Sequence, residues 1–141
     1  MSAKAVRQAG TCACGGKGAV ILACSGAADV GEVADRTARL LAREGAGNMS
    51  CLAGAGARHP GMVSGFKEAG TLLVIDGCPT ACGKKTVEGA GIRRFLHLQL
   101  GAIGLKKGAT PPKEKTIKAV AGKARKLLGG ASGGGGGCCG S

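Results

Sequence analysis

The sequence predicts an α/β domain, a Rossmann-like three-layer sandwich built on a parallel sheet of about four strands. Three observations carry this expectation. Short apolar runs rich in Val, Ile and Leu alternate with longer stretches whose apolar residues recur at helical spacing. The short runs are apolar almost throughout, which suits strands buried on both faces. Aromatic residues are nearly absent, with two Phe and no Trp or Tyr, so Val, Ile, Leu and Ala must fill the core.

Each element has its own justification. Residues 1–17 carry no periodic pattern and read as a flexible arm holding Cys12 and Cys14. Residues 18–24 form an apolar run with β-branched side chains and predict the first strand. Residues 28–44 follow as a helix, with Val30, Val33, Ala34, Thr37, Ala38 and Leu41 on one stripe and Gly45 and Gly47 past its end. Residues 48–53 predict a second short strand and residues 60–69 a short helix opened by Pro60. Thr71-Leu72-Leu73-Val74-Ile75-Asp76 is the clearest strand. A third helix is expected over 79–91, with Pro79 in its first turn, where a missing N–H costs nothing. Residues 95–100 give a fourth strand, and residues 111–128 a last helix with Ile117, Val120, Ala121, Ala124, Leu127 and Leu128 on one face. Residues 129–141 are Gly-rich, end in Cys138-Cys139-Gly140-Ser141 and read as a mobile tail. Strand and helix alternate across 18–128, so right-handed crossovers and a strand order 2-1-3-4 are expected.

Charge and composition narrow the function classes. The formal net charge is +12, and eight basic residues lie between Lys106 and Lys126 against one acid, Glu114. Such a run reads first as a solvated helix face, with an acidic protein partner for the C-terminal helix as the functional alternative. Nucleic acid is a poorer match, because single-strand binders add stacking aromatics and only Phe66 and Phe95 are present. No apolar run is long enough to span a bilayer. The apolar stretch 19–24 is too short for the roughly 7–15-residue apolar region of a secretory signal and suits a buried strand better. A cytoplasmic setting follows as an expectation. There, eight cysteines in 141 residues point to metal or redox chemistry and away from structural disulfides.

The cysteines of the predicted domain carry the chemistry. Cys24 closes the first strand, Cys51 lies in the second, and Cys78 comes just after the third. In doubly wound sheets the carboxyl edge is where ligands bind. Neighbouring strands lie about 4.8 Å apart, so cysteines distant in sequence can approach there. Cys82, four residues beyond Cys78, would stand one helical turn away on the same face. Helix N-termini at Cys24-Ser25-Gly26 and Cys78-Pro79-Thr80 would favour the thiolate. Four thiolates suit one tetrahedral soft ion, with zinc as the default cofactor and an iron–sulfur cluster, or no metal at all, as alternatives. Any one of these cysteines alone is a small hydrophobe; the set of four at one edge is the signal. Asp76 either caps the following helix or backs the metal ligands from a second shell. His59 and His97 read as structural, and Asp29 and Glu32 as charges that complement a helix dipole. Cys12, Cys14, Cys138 and Cys139 read either as a thiol relay to the core site or as incidental tail residues. A different class of function is thiol redox or sulfur/selenium transfer, with Cys78 as nucleophile and Cys82 as resolving thiol. A Cys-based phosphatase fits less well, because Lys84 stands six after Cys78 where an Arg would bind phosphate bidentately.

Ile75-Asp76-Gly77-Cys78-Pro79 with Cys82-Gly83-Lys84-Lys85 resembles the signature of the DGC-domain family of zinc-binding proteins. Cys24-Ser25-Gly26, Ala34-Asp35-Arg36 and Cys51 before a Gly-rich turn extend the resemblance to about residues 20–126. The resemblance implies chelating roles for Cys24, Cys51, Cys78 and Cys82 and supplies no reaction. It departs at 98–104, where Leu-Gln-Leu-Gly-Ala-Ile-Gly replaces an acidic Asp-Leu-Gly segment.

Overall fold

The computed structural model describes residues 18–131. The elements are β1 (Ala19–Ala23), α1 (Asp29–Arg43), β2 (Asn48–Met49), α2 (Leu52–Gly56), α3 (Pro60–Glu68), β3 (Thr71–Asp76), α4 (Cys82–Gly89), β4 (Leu96–Gln99) and α5 (Glu114–Ala131), with a 3-10 turn at Gly101–Ile103. The four strands form one sheet in the order β2-β1-β3-β4. Every pairing is parallel. The predicted alternation and strand order are both present.

Side-chain parity along the strands builds the three layers. Ile21, Ala23, Leu73, Ile75 and Leu98 point to one face, where α1 covers them with Val33, Ala34, Ala38 and Leu41 and α5 with Ile117, Val120, Ala121 and Ala124. Leu22, Leu72 and Val74 point to the other face and meet Ala55 of α2, Phe66 of α3 and Val87 of α4. Small Ala residues on α1 and α5 let both helices sit close to the sheet, which offsets the scarcity of aromatic volume.

Several boundaries differ from the sequence expectation: α2 is a helix the sequence did not predict, and α5 runs to Ala131, three residues into the stretch expected to be a mobile tail. The second strand is Asn48–Met49 only: the Ser50 N–H still bonds Ile21 O at 2.9 Å, but Cys51 becomes the N-cap of α2. The third helix begins at Cys82, three residues later than expected, because residues 78–81 make a turn closed by the Ala81 N–H on Cys78 O at 3.0 Å. The last helix begins at Glu114, since Pro112 disfavours helical backbone at Pro111. Thus Cys78 and Cys82 do not share a helix, and the expectation of one helical face carrying both thiols is corrected.

Candidate functional site

The carboxyl ends of β1 and β3 lie side by side, with Ala23 registered on Ile75. Beyond β1, the Cys24 N–H continues the ladder onto Ile75 O at 3.0 Å. Its half-buried Sγ accepts a hydrogen bond from Gly77 N–H at 3.1 Å. Gly77 is a steric requirement. A Cβ there would lie 2.7 Å from both the carbonyl carbon and oxygen of Val30, in the first turn of α1. Only glycine lets the segment after β3 press against α1 and bring its N–H to Cys24.

Asp76 organises the next turn. Its carboxylate is 1% exposed. Oδ1 accepts from Gly83 N–H at 2.7 Å and Oδ2 from Lys84 N–H at 2.9 Å, so it satisfies two open donors at the start of α4. His97 Nε2 reaches Oδ2 at 2.8 Å. Gly83 is needed for this capping, because a Cβ would sit 2.7 Å from Asp76 Oδ1. The motif Asp76-Gly77-Cys78 is therefore a structural unit in which a carboxylate caps α4, a glycine meets α1, and a thiol is left at the rim. Within that turn Ala81 holds left-handed backbone (φ +50), an uncommon state for a residue with a Cβ.

The two inner thiols differ in character, and the expectation that a helix N-terminus favours the Cys24 thiolate is corrected, since α1 opens only after Ala28 and burial dominates at Cys24. Burial pushes the Cys24 thiol up to about 11; the Gly77 N–H opposes this, while the neighbouring Asp76 and Cys78 add to it. The Cys78 thiol is held below its ordinary range, first by the Thr80 hydroxyl, then by the Thr80 N–H, with Lys107 contributing its charge. Cys51 and Cys82 are exposed, Cys51 ahead of α2 and Cys82 as the first residue of α4. All four are free thiols.

The donor chemistry of this edge suits a soft metal ion, with four thiols on adjoining strand and helix ends and an N–H bond already on one sulfur. As the side chains stand, no three His, Cys, Asp or Glu residues among those described converge into a set that could hold a metal. Cys12, Cys14, Cys138 and Cys139 lie outside the described residues. Among the described residues, no helix is long and apolar enough to cross a membrane.

Several contributors escaped the sequence reading. His97 is partnered by the buried Asp76, as the register Val74↔His97 requires, since it puts His97 on the face of Val74 and Asp76. Thr80 and Lys107 tune Cys78, but only the fold brings Lys107 near. The Ala34-Asp35-Arg36 segment serves the frame. Asp35 accepts from Ser25 Oγ at 2.8 Å and pairs with Arg39 at 2.7 Å. Arg36 donates to Pro112 O at 2.8 Å and pairs with Glu114, clamping α1 to the start of α5. His59 is structural, its Nδ1 accepting from Met62 N–H at 3.4 Å at the start of α3. Asp29 ties the start of α1 to the loop before α5. Its carboxylate accepts from Gly108 N–H and Thr110 N–H, which hold it below the usual carboxylate range.

Comparison with known proteins agrees with the motif. The anaerobic and virulence modulator AnvM of Pseudomonas aeruginosa is 36% identical over 88 residues, which cover 62% of this chain and 67% of that protein. No solved structure matches the chain. The profile of the DGC domain matches residues 20–124, and the chain belongs to the DGC-domain family.

Proposed function

We propose that the carboxyl edge of the sheet binds a soft metal ion, zinc foremost, through thiolates drawn from Cys24, Cys51, Cys78 and Cys82. The observation that supports this best is the pairing of Cys24 with the Asp76-Gly77-Cys78 turn, where an N–H···S bond of 3.1 Å and a nearby second thiol adjoin at two strand ends. Bound, the ion would hold the thiolates deprotonated and cross-link strand ends to α4, adding stability that the metal-free chain lacks. Asp76 acts from the second shell by fixing the turn that carries Cys78. The test is elemental analysis of anaerobically purified protein. About one equivalent of metal is expected, as for a tetrathiolate site. Cys24→Ser and Cys78→Ser should each lower both metal content and thermal stability. Unchanged stoichiometry in both variants defeats the reading. In this scheme Cys12, Cys14, Cys138 and Cys139 relay the ion, so removing residues 1–17 and 133–141 should slow metal exchange without lowering bound metal.

One observation favours a second reading, thiol redox or sulfur/selenium transfer by Cys78 with Cys82 resolving. Thr80 and Lys107 favour the Cys78 thiolate at the rim of the sheet, as a nucleophile needs. Metal-free protein with a readily formed Cys78–Cys82 disulfide would favour this over chelation. The name of AnvM, a modulator, is compatible with either a metal-responsive or a redox-responsive site. For the exposed lysines of α5 we propose an acidic protein segment as partner. Lys115 and Lys123 flank a small groove with Ile103, Leu105 and Ala119, which pairs charge with an apolar floor.

A further inference from the structure

A second site lies on the β2 side of the sheet, apart from the Asp76 turn. A cleft of about 760 Å³ opens between the outer flank of α1 and the segment leaving β2. Its polar lining is Ser25, Asp35, Arg39, Arg43, Ser50 and Cys51. The charges are unequally satisfied. Burial raises the Asp35 carboxyl, but the Arg39 and Ser25 hydrogen bonds outweigh it and hold the group below the usual carboxylate range, so Asp35 is ionised and already partnered. Arg39 spends Nε on Asp35, which leaves its terminal nitrogens for another acceptor. Arg43 makes no ion pair with any described residue. The cleft thus carries an excess of positive charge and of N–H donors, with its one carboxylate in use. That is the complement of a small molecule bearing carboxylates. Cys51, an exposed free thiol, lines the same cleft.

We propose that this cleft takes small carboxylate-bearing thiols, and that Cys51 carries one as a mixed disulfide when the ligand arrives in its disulfide form. The Cys51 thiolate attacks one sulfur of the incoming disulfide. A new S–S bond forms to Cys51 as the ligand's own S–S bond breaks, and the departing thiolate takes a proton from water. The incoming disulfide is the oxidant, so the exchange balances with no further reactant. Arg43, assisted by the free nitrogens of Arg39, holds the carboxylates while the sulfurs exchange. This proposal goes beyond the metal-binding and Cys78 readings; Cys51 is also one of the thiols the metal reading draws on, so bound metal would compete with the exchange, and the test therefore uses metal-free protein.

The experiment uses the full chain, freed of metal by chelation, and three disulfides: glutathione disulfide (anionic), hydroxyethyl disulfide (neutral) and cystamine (cationic). Intact mass and peptide mapping give the rate at Cys51, and each rate is divided by that of the same reagent with a short cysteine peptide. The normalised rate for the anionic reagent should exceed that for the cationic one by on the order of tenfold, as charge focusing in a cleft gives. Arg43→Gln should shrink that gap severalfold, the neutral reagent's rate serving to divide out any change in the reactivity of Cys51 itself, and Arg43→Lys, which keeps the charge, should preserve most of it. Equal normalised rates for the two charged reagents would overturn the proposal. So would a gap indifferent to Arg43→Gln, or labelling elsewhere with Cys51 untouched.

Discussion

The two corners of the sheet edge are built differently. At the β3–α4 corner every backbone choice is dictated. Gly77 has no room for a side chain, Asp76 is buried with three hydrogen bonds, and Gly83 makes way for it. At the β2–α2 corner the strand is two residues long, α2 is five residues long, and Cys51 caps it without a side-chain hydrogen bond. The first corner holds a thiol in a defined electrostatic setting. The second leaves a thiol exposed beside an open, positively charged cleft. One domain thereby presents a fixed chemical group and an accessible one on the same edge. Amides of β3 and α4 should accordingly exchange with solvent more slowly than those of β2 and α2.

The sharpest way to break the comparison is Gly77→Ala. The added Cβ meets backbone atoms of Val30 at 2.7 Å and Gly31 N at 2.9 Å, and backbone cannot rotate aside. Overpacking of this kind costs about 1–3 kcal/mol and more when backbone must move, a loss on the order of 10 °C in Tm for a domain this size. A Tm within about 2 °C of the parent chain would show that this corner is not over-determined.

Asp76→Ala comes next. It uncaps Gly83 N–H and Lys84 N–H and strips His97 of its partner. Loss of a cap together with a buried unsatisfied donor costs about 2 kcal/mol. His97→Ala should cost less, because its side chain is 23% exposed and the cap remains. If chemical denaturation shows His97→Ala to cost as much as Asp76→Ala, then the His97–Asp76 hydrogen bond, not the cap, holds the corner.

These residues also mark what could be read in advance. The parallel sheet, its 2-1-3-4 order and the core faces of α1 and of α5 as far as Ala124 were legible, because apolar periodicity is a direct consequence of burial; Leu127, expected on that face, is exposed. The start of α4 was not. Pro79 looked like a first-turn residue, but Asp76 reaches across the turn to cap Gly83 and Lys84, and that competition depends on how close β3 lies to α4. Cys51 was expected inside a strand for a similar reason: Met49, Leu52 and Ala53 around it are apolar, and only the tertiary edge ends β2 at Met49. Cys24 and Cys78 could be placed at one edge from strand order alone. Their unlike protonation could not, since it follows from Thr80, Lys107 and the depth of Cys24.

That unlike protonation gives a third test, on metal-free protein with an alkylating agent. Cys78 should react at pH values below the ordinary thiol range, and Cys24 only as pH approaches about 11. The linkage has a definite sign for Cys24. Its folded value lies above the ordinary 9.0, so folding favours the neutral thiol. That contribution is whole below about pH 9 and is lost as pH rises towards 11. Cys24→Ala should flatten the fall of stability across that window. Equal alkylation profiles for the two thiols would mean that the fixed corner does not set their chemistry.

The smallest effect comes from the permissive side. Gly65 lies inside α3, exposed, and a Cβ there would meet nothing within 4 Å. Helical glycine costs roughly 0.5–1 kcal/mol relative to alanine, mostly through the freedom it gives the unfolded chain. Gly65→Ala should therefore raise stability by about that amount, read as a rise of a few degrees in Tm. The same chemical change, one methyl on a glycine, is thus expected to have opposite signs at Gly77 and Gly65. Local propensity predicts a gain in α3, where the added methyl has open space. Packing reverses the sign at Gly77, where the chain is held against α1. A loss of stability in Gly65→Ala would mean that the flank of α3 is as constrained as the Asp76 turn, and the contrast between the two corners would not extend beyond the edge itself.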